Sequence, residues 1–321
     1  MLLTSYLIPD RTRYVDGYMK LDLNSFNFST PFYDRIGVYL HPYAALINHS
    51  CDCNTVIGFD GDRLFVKALK PINSGEQIFI SYIDTTASLA LRRKELSEKY
   101  YFNCECTKCV NGSHSLGDPS SALGPAEENV KTLMRSASTN INPSQAVQKL
   151  KHALSVLRET SSWPVTSEPY VSILDDLILS MVSVQHVHSA FALATLRFLQ
   201  VDPVLFLHIG HPIRQLHAWA LVKLCLHLSQ GVDECAEDIF PLPKFQLNFF
   251  LLLWSLLSRL VENIDDACIV RSFKDVVRAA FSEVCSEFRS HSLDPVTMKD
   301  EIEHEWVKMG EVAIYAAQID W

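Results

Sequence analysis

The chain has 321 residues, 48% hydrophobic and 20% charged, which is enough for two soluble globular domains with sizeable cores. Its 37 acidic residues outweigh 28 basic ones for a net charge of −9. This excludes the basic footprint of a protein built to grip phosphates and suits a basic, lysine-rich partner better. The N-terminal stretch from Met1 to Asp10 has no cationic start and does not read as a secretory signal. The most apolar stretch, Phe245 to Val261, is interrupted by Gln246, Asn248, Ser255, Ser258 and Arg259. It falls short of the ~20 apolar residues that span a bilayer and reads as a buried helix. Nine cysteines without a secretory signal point to a reducing compartment, the cytoplasm or the nucleus, where thiols are metal ligands or buried side chains.

Residues 1 to about 22 carry no firm element. Leu21 to Phe28 alternates apolar with polar residues, as a half-buried strand does. Leu40 to Asn48 is a short apolar run closing on a polar cluster. A β-hairpin follows, with Thr55 to Phe59 and Leu64 to Ala68 joined at Asp60-Gly61, a dipeptide that tolerates the positive φ angles of a tight turn. Pro71 and Asn73-Ser74-Gly75 mark a second turn, and Gln77 to Ile83 reads as a strand. Thr85 or Thr86 can cap a helix running through Tyr101, with Leu89, Arg92, Arg93, Leu96 and Tyr100 at helical spacing.

Val110 to Ser121 is rich in Gly, Pro and Ser, which sets a linker at 113–124 between a first domain, 1–112, and a second, 125–321. The second domain keeps helical spacing, as in Ala146, Leu150, Ala153, Leu154 and Leu157. Breakers at Trp163-Pro164, Pro169, Pro203, Pro212, Pro241 with Pro243, and Pro295 leave room for about five to seven helices in antiparallel hairpins. No fixed repeat period stands out.

Cys104, Cys106 and Cys109 form C-x-C-x-x-C, a spacing that lets three thiolates of one short loop converge on a tetrahedral ion. A structural zinc site takes four ligands, so one more comes from elsewhere, and Cys51 and Cys53 are the candidates in the N-terminal half. Cys225, Cys235, Cys268 and Cys285 are scattered in helical sequence and read as small buried hydrophobes. His186, His188, His208, His211, His217 and His227 could suggest a metallohydrolase, but no H-E-x-x-H pair appears among them, and they read as core or surface histidines.

Asn48-His49-Ser50-Cys51, the segment Gly75-Glu76-Gln77-Ile78 to Ser81-Tyr82, and Cys104 to Cys109 after Tyr100-Tyr101-Phe102 together resemble the SET-domain protein-lysine methyltransferases. More narrowly, they resemble the branch with SET and MYND domains followed by a helical C-terminal domain. The resemblance covers roughly Leu21 to Cys109 and is one of kind only in the helical half. It implies an α+β chain: a partial β-rich SET fold, threaded as a pseudoknot, with a zinc-binding post-SET loop, then an all-α, tetratricopeptide-like helical-hairpin domain. It implies S-adenosylmethionine on Asn48, His49, Tyr100 and Phe102, a catalytic Tyr82, and a lysine channel walled by Phe26, Tyr82 and Tyr100. The zinc ligands it implies are Cys51, Cys104, Cys106 and Cys109. Relatives commonly have Pro where this chain has Cys53, whose thiol could compete for metal.

The implied chemistry explains the residue types. Methyl transfer to lysine is an in-line displacement on a sulfonium methyl, so positioning accounts for much of the rate. The attacking amine must be neutral although its ordinary pKa is about 10.4, and an aromatic channel that excludes water lowers it. The implied substrate is a protein or peptide with an exposed lysine, histone included, with neither nucleic acid nor membrane as partner. Before Asn24 neither a Gly-x-Gly cofactor segment nor a MYND-type zinc module can be read, and the sequence looks N-terminally shortened. The competing expectation is a non-catalytic SET-like scaffold whose helical half docks peptides.

Overall fold

The computed structural model describes residues 23–112, 125–139, 142–160, 163–231 and 238–321. The expected linker and most of the stretch before the first strand lie outside the described residues. Contacts divide the chain into two units: Met1–Thr85 with Leu89–His114, and Thr86–Ser88 with Ser115–Trp321.

The first unit is built from short strands. β1 (Ser25–Ser29) pairs antiparallel with β2 (Arg35–Leu40), matching Phe26 to Tyr39. The strand begins later than the alternation from Leu21 suggests, because Leu23 and Asn24 form a helical turn. β3 (Asn48–His49) follows the helical turn Ala44–Leu46. β4 (Thr55–Asp60) and β5 (Arg63–Ala68) form the hairpin expected at Asp60-Gly61, with Gly61 at φ 60° where a side chain would be strained. Phe28, Tyr39 and Phe59 close the space between the two hairpins, with ring centroids 5.2 to 5.8 Å apart.

β6 is only Phe79–Ile80, shorter than the expected strand from Gln77 to Ile83. Two side chains shorten it. The Asn54 amide takes the strand-like backbone bonds at its start, donating to the Gln77 carbonyl (2.9 Å) and accepting from the Phe79 N–H (2.8 Å). At its end Ser81 Oγ donates to the Ile83 carbonyl (2.5 Å), turning the chain out of the sheet.

Helix α1 (Leu89–Tyr100) starts later than a cap at Thr85 or Thr86 would give. It buries Arg92 and Leu96 and stops where Tyr101 enters the left-handed region at φ 62°. The short helix α2 (Thr107–Gly112) ends the cysteine loop.

The second unit is helical: α3 (Pro125–Ser138), α4 (Pro143–Thr160), α5 (Tyr170–Ser183), α6 (Val187–Leu196), α7 (Pro212–Ser229), α8 (Phe249–Glu262), α9 (Arg271–Ser290) and α10 (Lys299–Gln318). These eight, with the one-turn helix Asp202–Leu205 among the described residues, exceed the expected five to seven. Two breaks have no Gly or Pro within or next to them: Val184-Gln185-His186, where Gln185 adopts φ 62°, and the stretch from Asn263 to Val270. Consecutive helices from α3 to α9 pack on one another, and α10 returns to pack on α6 and α8. The face expected on α4 is the buried one, with Leu150, Ala153, Leu154 and Leu157 at 1% exposure or less. The apolar stretch at Phe245 becomes α8, capped by Asn248, whose side chain accepts from the Phe250 and Leu251 N–H groups at 3.1 Å. Among the described residues no helix is long and apolar enough to cross a membrane.

Candidate active site and metal centre

The site forms where β3 and β6 run side by side in parallel, pairing Asn48 with Phe79 and His49 with Ile80. The ladder continues through the Ser50 N–H, which donates to the Ile80 carbonyl at 3.0 Å. This pairing brings the Asn-His segment alongside Ser81-Tyr82. The Tyr82 N–H donates to His49 Nδ1 at 3.0 Å, and the Tyr82 hydroxyl donates to the Ile47 carbonyl at 2.6 Å. The Tyr82 ring lies 5.3 Å from His49 and 4.9 Å from Tyr100, whose hydroxyl donates to the Tyr82 carbonyl at 3.3 Å. Phe102 meets His49 at 5.9 Å.

Below this aromatic layer, one sulfur each from Cys51, Cys104, Cys106 and Cys109 lies within 4.8 Å of the others. A tetrahedral zinc with Zn–S of about 2.3 Å has sulfur–sulfur edges of about 3.8 Å, so this donor set fits the ion. Cys51 and Cys109 are 3.5 Å apart. Cys53 stands outside the group, its thiol pushed up by burial. Two side-chain nitrogens reach the cluster: His49 Nε2 is 3.2 Å from Cys51 Sγ, and Arg92 Nη2 is 3.9 Å from Cys109 Sγ. Asp52 ties the two cysteine segments, accepting from Thr107 Oγ1 at 3.1 Å and pairing with Lys70 at 3.5 Å. Cys51, Ile83, Leu96, Cys104 and Cys109 form one buried cluster, against which Tyr82, Leu89, Tyr100, Phe102 and Cys106 pack, so this core is also the candidate site.

Burial, with the Arg92 charge adding to it, lowers the His49 pKa to about 4, and the ring is neutral near pH 7. Burial and neighbouring thiols push the Cys51 thiol up. For Cys106 burial works in the same direction, but the Cys109 backbone N–H and the neighbouring thiols outweigh it and lower the pKa to about 6. Burial and Tyr100 raise the pKa of Tyr82, which therefore stays a neutral phenol.

A cleft of about 570 Å³ opens beside the cluster, lined among others by His49, Asn54, Glu76, Phe102, Asn103 and Glu105. Its volume lies in the range of small-molecule and cofactor sites. His49, Phe102, Cys104 and Cys106 line it, whereas Tyr82 and Tyr100 pack against the cysteine cluster. Asn48 keeps its side chain exposed. Phe26 sits in β1 opposite Tyr39, and the ring contacts of Tyr82 among the described residues are with His49 and Tyr100.

Three contributors were not singled out from sequence. Asn54 and Thr55, both buried, hold the β6 segment, Thr55 Oγ1 donating to the Phe79 carbonyl at 2.7 Å. Arg92, visible in sequence only as part of a helical face, is buried against Cys109. A polar residue in the loop just after Cys51-Asp52-Cys53 was the signal available for Asn54.

The histidines of the helical unit form no metal-holding group among the described residues. His217 Nδ1 lies 2.9 Å from the buried Asp202, which also holds Arg197 at 2.6 Å beside the π-helical turn Arg197–Val201. His211 caps α7, accepting from the Ile213 N–H at 3.3 Å, and stacks on Phe206 at 4.5 Å.

Residues 7–83 match the SET domain family, and the parallel strand pair, Asn48-His49, Cys51 and Ser81-Tyr82 all fall within that match. The match starts well before the first strand read from sequence and ends before the cysteine loop. The chain is 30% identical over 177 residues to the SET domain and MYND-type zinc finger protein 6 of Schizosaccharomyces pombe, covering 54% of this chain and 33% of that protein. It is 35% identical over 102 residues to histone-lysine N-methyltransferase SMYD3 of Mus musculus, covering 32% of this chain and 24% of that protein. It is 26% identical over 186 residues to N-lysine methyltransferase SMYD2 of Homo sapiens, covering 56% and 41%. The chain therefore contains a SET domain and is related to the SET and MYND-domain proteins, of whose length these matches span a quarter to two fifths.

Proposed function

We propose that this chain is an S-adenosylmethionine-dependent protein-lysine N-methyltransferase that holds one zinc ion on Cys51, Cys104, Cys106 and Cys109. The observation that carries the reading is the anchoring of Tyr82 in the SET-matched segment. Its N–H is fixed on His49, its hydroxyl on the Ile47 carbonyl, and its ring on Tyr100. Relatives named as histone-lysine and N-lysine methyltransferases support the chemistry.

Asn48, His49, Tyr100 and Phe102 are the residues that would hold the cofactor, and the cleft faced by His49 and Phe102 has room for it. When bound, S-adenosylmethionine supplies an electrophilic sulfonium methyl. Tyr82 and Tyr100, with Phe26 as a further wall, exclude water from the lysine side chain and favour its neutral amine. The Tyr82 hydroxyl hydrogen is committed to Ile47, so its oxygen offers lone pairs outward and orients the nitrogen by accepting from it. Its raised pKa makes it an orienting group rather than a base, and the lysine proton leaves through water. The substrate is a protein with an exposed lysine, met in the cytoplasm or nucleus, and the acidic balance of the chain favours such a basic partner.

The test is incubation of the zinc-loaded chain with methyl-labelled S-adenosylmethionine and histone or lysine-bearing peptides. Label on lysine is expected, with Tyr82→Phe slower by about 100-fold, the scale of a lost positioning contact. Calorimetry showing no cofactor binding by zinc-loaded protein, together with no label, sinks the reading in favour of a peptide-binding scaffold.

A further inference from the structure

The two nitrogens of the His49 ring are engaged on opposite sides. Nδ1 faces the Tyr82 backbone N–H at 3.0 Å, and an N–H can only donate, so Nδ1 must be the bare, accepting nitrogen. The hydrogen of the neutral ring is then on Nε2, which lies 3.2 Å from Cys51 Sγ, a member of the four-sulfur group. A metal-bound thiolate is a strong acceptor for that hydrogen. Backbone geometry on one side thus fixes the tautomer that the sulfur on the other side requires.

We propose that His49 is a positioning residue that bridges the metal centre to the proposed catalytic tyrosine. As the Nε2–H tautomer it donates to the Cys51 thiolate and accepts from the Tyr82 backbone. The proposal rests on the zinc and methyltransferase readings above. It adds that the ring nitrogens are spent inside the protein, so any contact of His49 with a cofactor uses its backbone or ring face. His49 is 8% exposed and lies in β3 while Tyr82 follows β6, so the bridge spans the parallel strand pair. Occupation of the metal site and the placement of Tyr82 then become properties of one side chain.

Two amide substitutions separate the two bonds. His49→Asn sets an amide oxygen near the Nδ1 position, within reach of the Tyr82 N–H but short of the sulfur. His49→Gln sets an amide N–H₂ near the Nε2 position, within reach of the sulfur but past the backbone. Zinc affinity is measured by competition with a chromophoric chelator, and the Tyr82 amide by hydrogen exchange, on the full chain. His49→Asn is expected to lose about 10- to 100-fold in zinc affinity, the scale for a lost partner of a metal ligand, with Tyr82 exchange protection retained. His49→Gln is expected to keep zinc affinity within a few-fold and lose Tyr82 protection. Long-range proton–nitrogen spectra of the zinc-loaded chain, with the His49 signal assigned by its absence in His49→Asn, should show a bare Nδ1 and a protonated Nε2.

Equal losses in both variants, unchanged zinc affinity in His49→Asn, or a protonated Nδ1 overturns the bridge. A chain that binds no zinc overturns the bridge together with the metal reading. Because neither readout uses methyl transfer, a failed transfer assay bears on the proposed activity and a failed split on the bridge.

Discussion

In the helical unit Ile173, Leu174, Leu177, Met181, Phe191 and Phe273 are fully withdrawn from water. In the β-rich unit the side chains withdrawn include His49, Ser50, Asn54, Thr55 and Arg92 beside Cys51, Cys104 and Cys109. The first kind of interior is stabilised by apolar area, at about 25 cal/mol per Å², spread over many side chains. The second is stabilised by hydrogen bonds to backbone and, when loaded, by metal–sulfur bonds. Each of its members holds a particular atom in place, and loss of one leaves a buried polar group unpaired. A small β-rich unit without a large apolar core gains order from such a staple.

The largest contrast should come from removing the metal. Chelation, or Cys106→Ala, forfeits a binding energy on the order of 10 kcal/mol that is also folding energy. The β-rich unit should become protease-sensitive while the far-ultraviolet helix signal of the second unit persists; loss of both together would erase the distinction. Conversely, Leu174→Ala, in a fully buried position, should cost about 2 to 5 kcal/mol in the thermal or urea unfolding of the helical unit and leave zinc stoichiometry unchanged.

A pH dependence is expected inside the helical unit. Burial, helped by His208, lowers the His211 pKa from 6.5 to about 4. The unfolded chain therefore binds this proton more readily. Stability is fully present above pH 6.5 and falls by up to about 3 kcal/mol as pH drops towards 4. His211→Asn keeps a capping group but cannot titrate, so chemical denaturation at stepped pH should show a flatter slope in this variant; an unchanged slope assigns the effect elsewhere.

The smallest effect belongs to Asn54→Ala, which strands the Gln77 carbonyl and the Phe79 N–H. A loss of about 1 to 3 kcal/mol is expected in the β-rich unit, read as faster exchange of the Phe79 and Tyr82 amides with metal still bound.

Features encoded within a few residues could be read from the sequence. The Asp60-Gly61 hairpin, the C-x-C-x-x-C loop and the apolar face of α4 depend on local spacing. The shortening of β6 could not be read, because it depends on Asn54 replacing a strand partner from more than twenty positions away. Nor could the break at Gln185, where an ordinary side chain takes a left-handed backbone without glycine or proline to announce it. In the site, residue types were legible and their directions were not. The resemblance implies His49 as a cofactor contact, but that its two ring nitrogens meet Cys51 Sγ and the Tyr82 N–H depends on the parallel pairing of β3 with β6, which local spacing does not encode.

The same pairing governs when the site can exist at all. β3 waits for β6, which arrives only after the intervening hairpin, and Cys51 waits for Cys109, the last of the four sulfurs. On a ribosome, where the chain emerges from its N-terminus, the β4–β5 hairpin can close early, but the Asn-His segment has no partner until Ile80 is out. The cluster cannot close until Cys109 has followed. During synthesis, then, three thiols and a half-made strand pair stand open until Cys109 has emerged.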